Sequence, residues 1–123
     1  FASHRHRRHA KKKLIELILY IANEYRQRSV PLTRTLLADI LWAIDAKAYA
    51  EQGEAVTNWP YVAMSNGIEP YNFSQVLYRM KKQRLVKLTP IRKTNEVVNN
   101  APHITESDLC ITTNAFPSTE SVH

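Results

Sequence analysis

The chain has 123 residues, 44% of them apolar, with two glycines, six prolines and one cysteine. That composition suits one globular domain with tails, and excludes a disordered, collagen-like or disulfide-stapled chain. Cys110 has no second cysteine to pair with, so an internal disulfide is ruled out and a reducing compartment fits best. Of the net charge of +6, the whole excess lies in Arg5, Arg7, Arg8, Lys11, Lys12 and Lys13, because the other 11 of the 17 basic residues are matched by 11 acidic ones. A second cluster, Arg79, Lys81, Lys82, Arg84, Lys87, Arg92 and Lys93, contains no acid. Charge placed this way describes a tail and a patch, not a uniformly basic protein.

The chain starts at Phe1 rather than Met, which points to a missing or processed N-terminus. A basic run followed by the apolar residues 14–22 has the outline of a signal peptide. Glu16 interrupts it, residues 23–26 offer no small-residue cleavage site, and the stretch is far short of the roughly 20 apolar residues that span a bilayer. The expectation is a soluble, cytoplasmic protein with no membrane association.

In chain order, residues 1–9 read as a flexible basic arm. From about Ala10, Leu14, Leu17, Ile18, Ile21, Ala22 and Tyr25 recur at helical spacing, and Ile15 and Leu19 widen the stripe. Pro31 ends this helix by pushing Val30 out of the helical region. Thr33 is placed to cap a second helix running to about Ala50, with Leu37, Ile40, Leu41, Ile44 and Ala48 inward and Trp42 on the flank. Gly53 ends it. Thr57 or Asn58 then caps a short helix with Pro60 in its first turn, and Asn66-Gly67 and Pro70 mark stops. Asn72, with Gln75 three residues on, has the spacing of a capping box for a further helix whose inner face is Phe73, Val76, Leu77 and Met80. Strand-like alternation follows at residues 85–88, and Thr94-Asn95 is placed to turn it back towards Val97-Val98. From about Asn99 the chain turns polar. A short strand at residues 109–111 is its only further element, and most of residues 112–123, like residues 1–9, reads as dispensable for folding.

Chemistry is sparse. His4, His6 and His9 lie in a cationic arm without acidic or cysteine partners, which disfavours a metal ion. His103, His123 and Cys110 have no evident activating neighbours. Glu51 with Glu54, or Asp39 with Asp45, have the spacing of solvated helix faces rather than of an acid–base pair. Gly53 and Gly67 stand alone, so no phosphate-cradling loop is present. No enzyme, metal or cofactor is expected. The cluster Arg79, Lys81, Lys82, Arg84, Lys87, Arg92 and Lys93 has two readings. A short helix, a longer helix and a two-stranded flap is the order of a winged helix-turn-helix, with Arg and Gln reading base edges and Lys neutralising phosphates. The plainer reading is that cations gather at a helix C-terminus because they favour its negative pole.

Residues 12–88 resemble the Panacea domain of bacterial and phage antitoxins. Residues 13–22 are similar to that family's opening helix. Residues 37–45 are similar to its Leu-x-Lys-x-Leu-aromatic-x-x-Asp helix. Ala48, Tyr49, Gly53, residues 55–57 and Tyr61, then Gly67 and Pro70, resemble its run through G-x-x-(I/V)-T-(G)-x-x-Y to a Gly-Pro turn. Residues 77–86 resemble its closing helix and x-G-(L/I)-I turn into a strand. The chain departs from the pattern at Asp39, where the family has lysine, at Gly67-Ile68 in place of Gly-Pro, and at Asn58 in place of a glycine. The resemblance implies a domain that neutralises a cognate toxin from a neighbouring gene by direct binding. Trp42, Asp45, Tyr49, Thr57, Trp59, Tyr61 and Gly67 are the expected partner-binding residues, the aromatics Trp42, Tyr49, Trp59 and Tyr61 serving either as exposed anchors or as caps of the small core, with nucleic-acid binding by the basic cluster as the alternative. The expected fold is mainly α: about four helices with a short C-terminal strand or hairpin, as an arm (1–9), a helical domain (10–98) and a polar tail (99–123).

Overall fold

The computed structural model describes the backbone of residues 4–65, 67–98 and 101–114, and the side chains of residues 6–65, 67–91 and 108–114. Its elements are α1 (His4–Gln27), α2 (Arg34–Gln52), β1 (Tyr61–Met64), β2 (Gly67–Pro70), α3 (Phe73–Lys82), β3 (Val86–Val98) and β4 (Ala101–Thr113). The described residues therefore form an α+β arrangement, three helices with two antiparallel two-stranded sheets. This corrects the expectation of about four helices and a short hairpin. Among the described residues no helix is long and apolar enough to cross a membrane.

Helix α1 begins at His4, so residues 4–9, expected as a flexible arm, continue the helix. Arg, Lys and Ala are strong helix formers, and buried Ala10, Leu14 and Ile18 anchor the turns that follow. Its C-terminus closes at Ser29, whose φ is 56°. Val30 N donates to Tyr25 O at 3.0 Å and Ser29 N to Arg26 O at 3.0 Å, the paired bonds of a Schellman cap. Arg84, φ 63°, closes α3 identically, with Leu85 N on Met80 O and Arg84 N on Lys81 O, both 2.9 Å. Two left-handed positions that glycine would hold without strain are thus occupied by serine and arginine.

Helix α2 starts and stops where its local signals place it. Thr33 Oγ1 accepts from Leu36 N at 3.1 Å, and Gly53, at φ 77°, donates its N–H to Tyr49 O. Its buried stripe is Leu37, Ala38, Leu41 and Asp45, with Ile40, Ile44 and Ala48 only partly covered. The inner face is rotated from the one expected, and it contains a carboxylate.

The short helix expected around Pro60 is absent. Residues 61–64 are β1, paired with β2 from Tyr61↔Pro70 to Met64↔Gly67, and Tyr71 N closes the base on Pro60 O at 2.9 Å. A proline just before a strand forfeits no ladder bond, so Pro60 suits this role as well as a helix start. Helix α3 buries Phe73, Val76, Leu77 and Met80 as its spacing predicts. Asn72 has φ 56° and makes no side-chain cap bond, so the capping box is not formed.

The largest departure is C-terminal. Strand β3 does not turn at Thr94-Asn95 but runs to Val98 and pairs with β4 from Val86↔Thr113 to Val98↔Ala101, with irregularities between Ile91 and Arg92 and between Thr94 and Glu96. Residues 101–113, assigned to a polar tail, form its second strand. Ile111 and Thr113 are each only 2% exposed. Ile111 N donates to Leu32 O at 2.8 Å and Thr33 bridges Cys110, so β4 is fastened to the α1–α2 connection. The core joins Leu14, Ile18 and Ile21 of α1, Leu37 and Leu41 of α2, Phe73, Leu77 and Met80 of α3, Val86 of β3 and Ile111 of β4, with Leu32 between helices. The parts of the expected arm and tail at residues 1–3, 99–100 and 115–123 lie outside the described residues.

Candidate functional site

Asp45 lies on the buried stripe of α2 and is 3% exposed. Its Oδ1 accepts from Val56 N at 2.9 Å and Thr57 N at 3.0 Å. Its Oδ2 accepts from Thr57 Oγ1 at 2.6 Å and from the Tyr61 hydroxyl at 2.7 Å. Thr57 Oγ1 accepts in turn from Trp59 N at 3.1 Å. Four donors on one carboxylate satisfy a charge that would otherwise be costly to bury. They tie the loop after Gly53 and the first residue of β1 to the middle of α2. Desolvation, then the hydrogen bond to the Asp45 carboxylate, pushes the Tyr61 phenol well above its ordinary value.

This network carries aromatic side chains outward. Trp42, 42% exposed, meets the Tyr61 ring edge-on, with centroids 5.2 Å apart and planes at 70°. Tyr49, 65% exposed, lies two turns along α2 from Trp42 on the same face. Val56, also exposed, is held by its N–H on Asp45. Trp59 is half-buried against the core and its indole N–H donates to Tyr71 O at 2.8 Å, so its ring serves the fold more than a surface. The structure thus brings together Trp42, Asp45, Thr57, Trp59 and Tyr61, with Tyr49 beside them on α2. Gly67 stands apart at the far end of the β1–β2 hairpin opposite Met64. There its φ of 135° would strain any side chain. The spacing argument that put Asp45 on a solvated face beside Asp39 is corrected by its burial.

A cleft of about 420 Å³ was not anticipated; Arg34, Asp39, Met64, Ile68, Glu69 and Asp108 are among its lining residues. Arg34 Nη2 pairs with Glu69 Oε2 at 2.8 Å, and its guanidinium carbon sits 5.3 Å from the centroid of the Phe73 ring. A cation in the first turn of a helix opposes the helix dipole; Glu69 offsets it, and Asp108 brings a carboxylate to the same end, 3.3 Å from Thr35 N. Nothing in the local sequence signals these long-range pairs.

In the basic cluster, Arg79, Lys81, Lys82, Arg84 and Lys87 are all exposed. The side chains of Arg92 and Lys93 lie outside the described residues. Among the described residues no group of three or more His, Cys, Asp or Glu is gathered to hold a metal ion. Compared with protein-family models, with curated proteins and with solved structures, the chain finds no match.

Proposed function

We propose that the chain is a protein-interaction domain of the antitoxin kind, acting in the cytoplasm by binding and occluding a cognate toxin rather than by catalysis. One observation carries the reading: Trp42 and Tyr49 stand exposed on one face of α2 beside the Asp45 network, with Val56 fixed at its edge. Exposed aromatics on a rigid element make good anchors, because they bury large areas while losing little rotamer freedom. The Panacea resemblance supports the same reading. Of its ordered series Asp45, Gly53, Thr57, Tyr61 and Gly67, three residues, Asp45, Thr57 and Tyr61, take part in the network.

Co-expression with the neighbouring open reading frame, followed by pull-down and a growth assay, tests it. Retention of that product and rescue of growth are expected. Trp42→Ala with Tyr49→Ala should weaken binding by about 30-fold or more, the loss of at least one hot spot, with the melting transition preserved. Undiminished binding by that folded double variant, or no binding by the wild-type chain, would overturn the proposal.

A further inference from the structure

Helix α3 presents only one stripe to the core. Of its ten residues, Phe73, Val76, Leu77 and Met80 are buried, and Ser74, Gln75, Tyr78, Arg79, Lys81 and Lys82 are exposed. More than half its circumference therefore faces outward. Between Glu69 and Glu96 the chain has no acidic residue. Among the described residues no ion pair engages Arg79, Lys81, Lys82, Arg84 or Lys87. The Lys81 and Lys82 ammonium groups lie 5.9 and 5.7 Å from the centroid of the exposed Tyr78 ring, and Ser74, Gln75, Tyr78 and Arg79 line a shallow depression of about 460 Å³. The helix then passes through Arg84 directly into β3, where alternation leaves Lys87 exposed beside buried Val86.

We infer that the outer face of α3, with the start of β3, is a docking surface for double-stranded DNA. This surface is separate from the aromatic face of α2 and does not depend on the reading of that face. Charge complementarity argues for a polyanion, since five cations over nine residues, with no ion pair among the described residues, lie in a stretch with no acid between Glu69 and Glu96. Shape argues for the B-form duplex. A helix about 10–12 Å across enters a major groove about 12 Å wide, whereas the deep, narrow major groove of A-form RNA does not admit side chains. Gln75 and Arg79, one turn apart, are positioned to face base edges. Lys82, Arg84 and Lys87 flank them towards the phosphates, and the two-stranded ribbon β3–β4 continues from the end of the helix.

The test is fluorescence anisotropy of the full chain with a labelled mixed-sequence DNA duplex across a salt series. If Lys81, Lys82, Arg84 and Lys87 each meet a phosphate while Arg79 faces a base edge, the log–log slope of affinity against salt is about −3.6, on the order of a 150-fold loss from 50 to 200 mM. Replacing Arg79, Lys82 and Lys87 together by Ala should bring the slope to about −1.8, roughly a 12-fold loss over the same range. Should that variant fail to melt cooperatively, Lys87→Ala alone should reduce the slope by about 0.9. Trp42→Ala should leave duplex binding unchanged. A slope unmoved by the triple replacement (or by Lys87→Ala where the triple variant does not fold) would assign the binding to the α1 cations and overturn the inference. So would equal or tighter binding of an RNA duplex of the same length, or no binding of DNA at 50 mM salt.

Discussion

Removing the Asp45 carboxylate should cost this domain a large part of its stability. In Asp45→Ala, Val56 N, Thr57 N and Thr57 Oγ1 all lose their acceptor, while the Tyr61 hydroxyl can turn to solvent from its half-buried position. Each orphaned buried donor costs roughly 1–3 kcal/mol. Two buried donors on Thr57 and the part-buried Val56 N, at the lower end, amount to about 3 kcal/mol before any relief by water entering the space, against a total of about 5–15 kcal/mol for a domain of this kind. Asp45→Asn separates charge from shape. Its amide oxygen can keep both backbone N–H donors, but the two hydroxyls lose an ionised acceptor, at about 1 kcal/mol each and about 2 kcal/mol together. Urea melts read the difference by far-ultraviolet circular dichroism and by tryptophan fluorescence, because Trp42 meets the Tyr61 ring edge-on. A double-mutant cycle with Tyr61→Phe should give a coupling of about 1 kcal/mol. If Asp45→Ala and Asp45→Asn both fall within about 0.5 kcal/mol of wild type, as exposed substitutions do, the carboxylate does not hold the loop and the anchoring argument is wrong.

Leu41, fully buried at 0% exposure, should cost about 2–5 kcal/mol when changed to Ala, whereas Lys47→Ala should stay within about 0.5 kcal/mol in the same urea melts. Ile111→Ala should lower stability by about 3 kcal/mol, and a chain ending at residue 107 should show no cooperative thermal transition, since it lacks the β4 residues that bond Leu32 and cover the core. Because the folded Tyr61 phenol titrates above its ordinary value near 10, its contribution to stability is complete below that pH and declines as pH rises through the folded value. The decline is at most about 1.4 kcal/mol per pH unit, and less once the partial exposure of the ring is discounted. Tyr61→Phe should remove this alkaline decline, and an identical alkaline profile in the variant would refute the assignment.

What was legible in the sequence depended on how far its cause reached along the chain. Thr33 caps α2 through a bond three residues long, Gly53 ends it through its own φ, and Phe73, Val76, Leu77 and Met80 share a face by the 3.6-residue period. Causes of that range are readable. The β1–β2 hairpin was not, because four residues without clean alternation carry little periodic signal and a proline before them fits a helix start equally well. Strand β4, expected only at residues 109–111, was otherwise hidden among Thr, Ser, Glu and Asp residues, and what makes it a strand is its pairing with β3 and its contact with Leu32. Asp45 was misread from its spacing to Asp39, since its partners lie 11 to 16 residues away. The resemblance put Asp45 in an ordered series with Gly53, Thr57, Tyr61 and Gly67, of which only Thr57 and Tyr61 bond its carboxylate. The Arg34–Glu69 pair spans 35 residues and left no trace in either reading.

Fastening β4 to the α1–α2 connection also sets the order in which the domain can mature during synthesis. All three helices are translated before residue 111, so α1, α2 and α3 emerge with Leu32 and Val86 still missing the strand that covers them. Local helix formation takes microseconds or less, while translation adds only about 5–20 residues per second. The nascent chain therefore spends on the order of seconds as helices around an open seam, exposed to chaperones and proteases, until the last strand closes it.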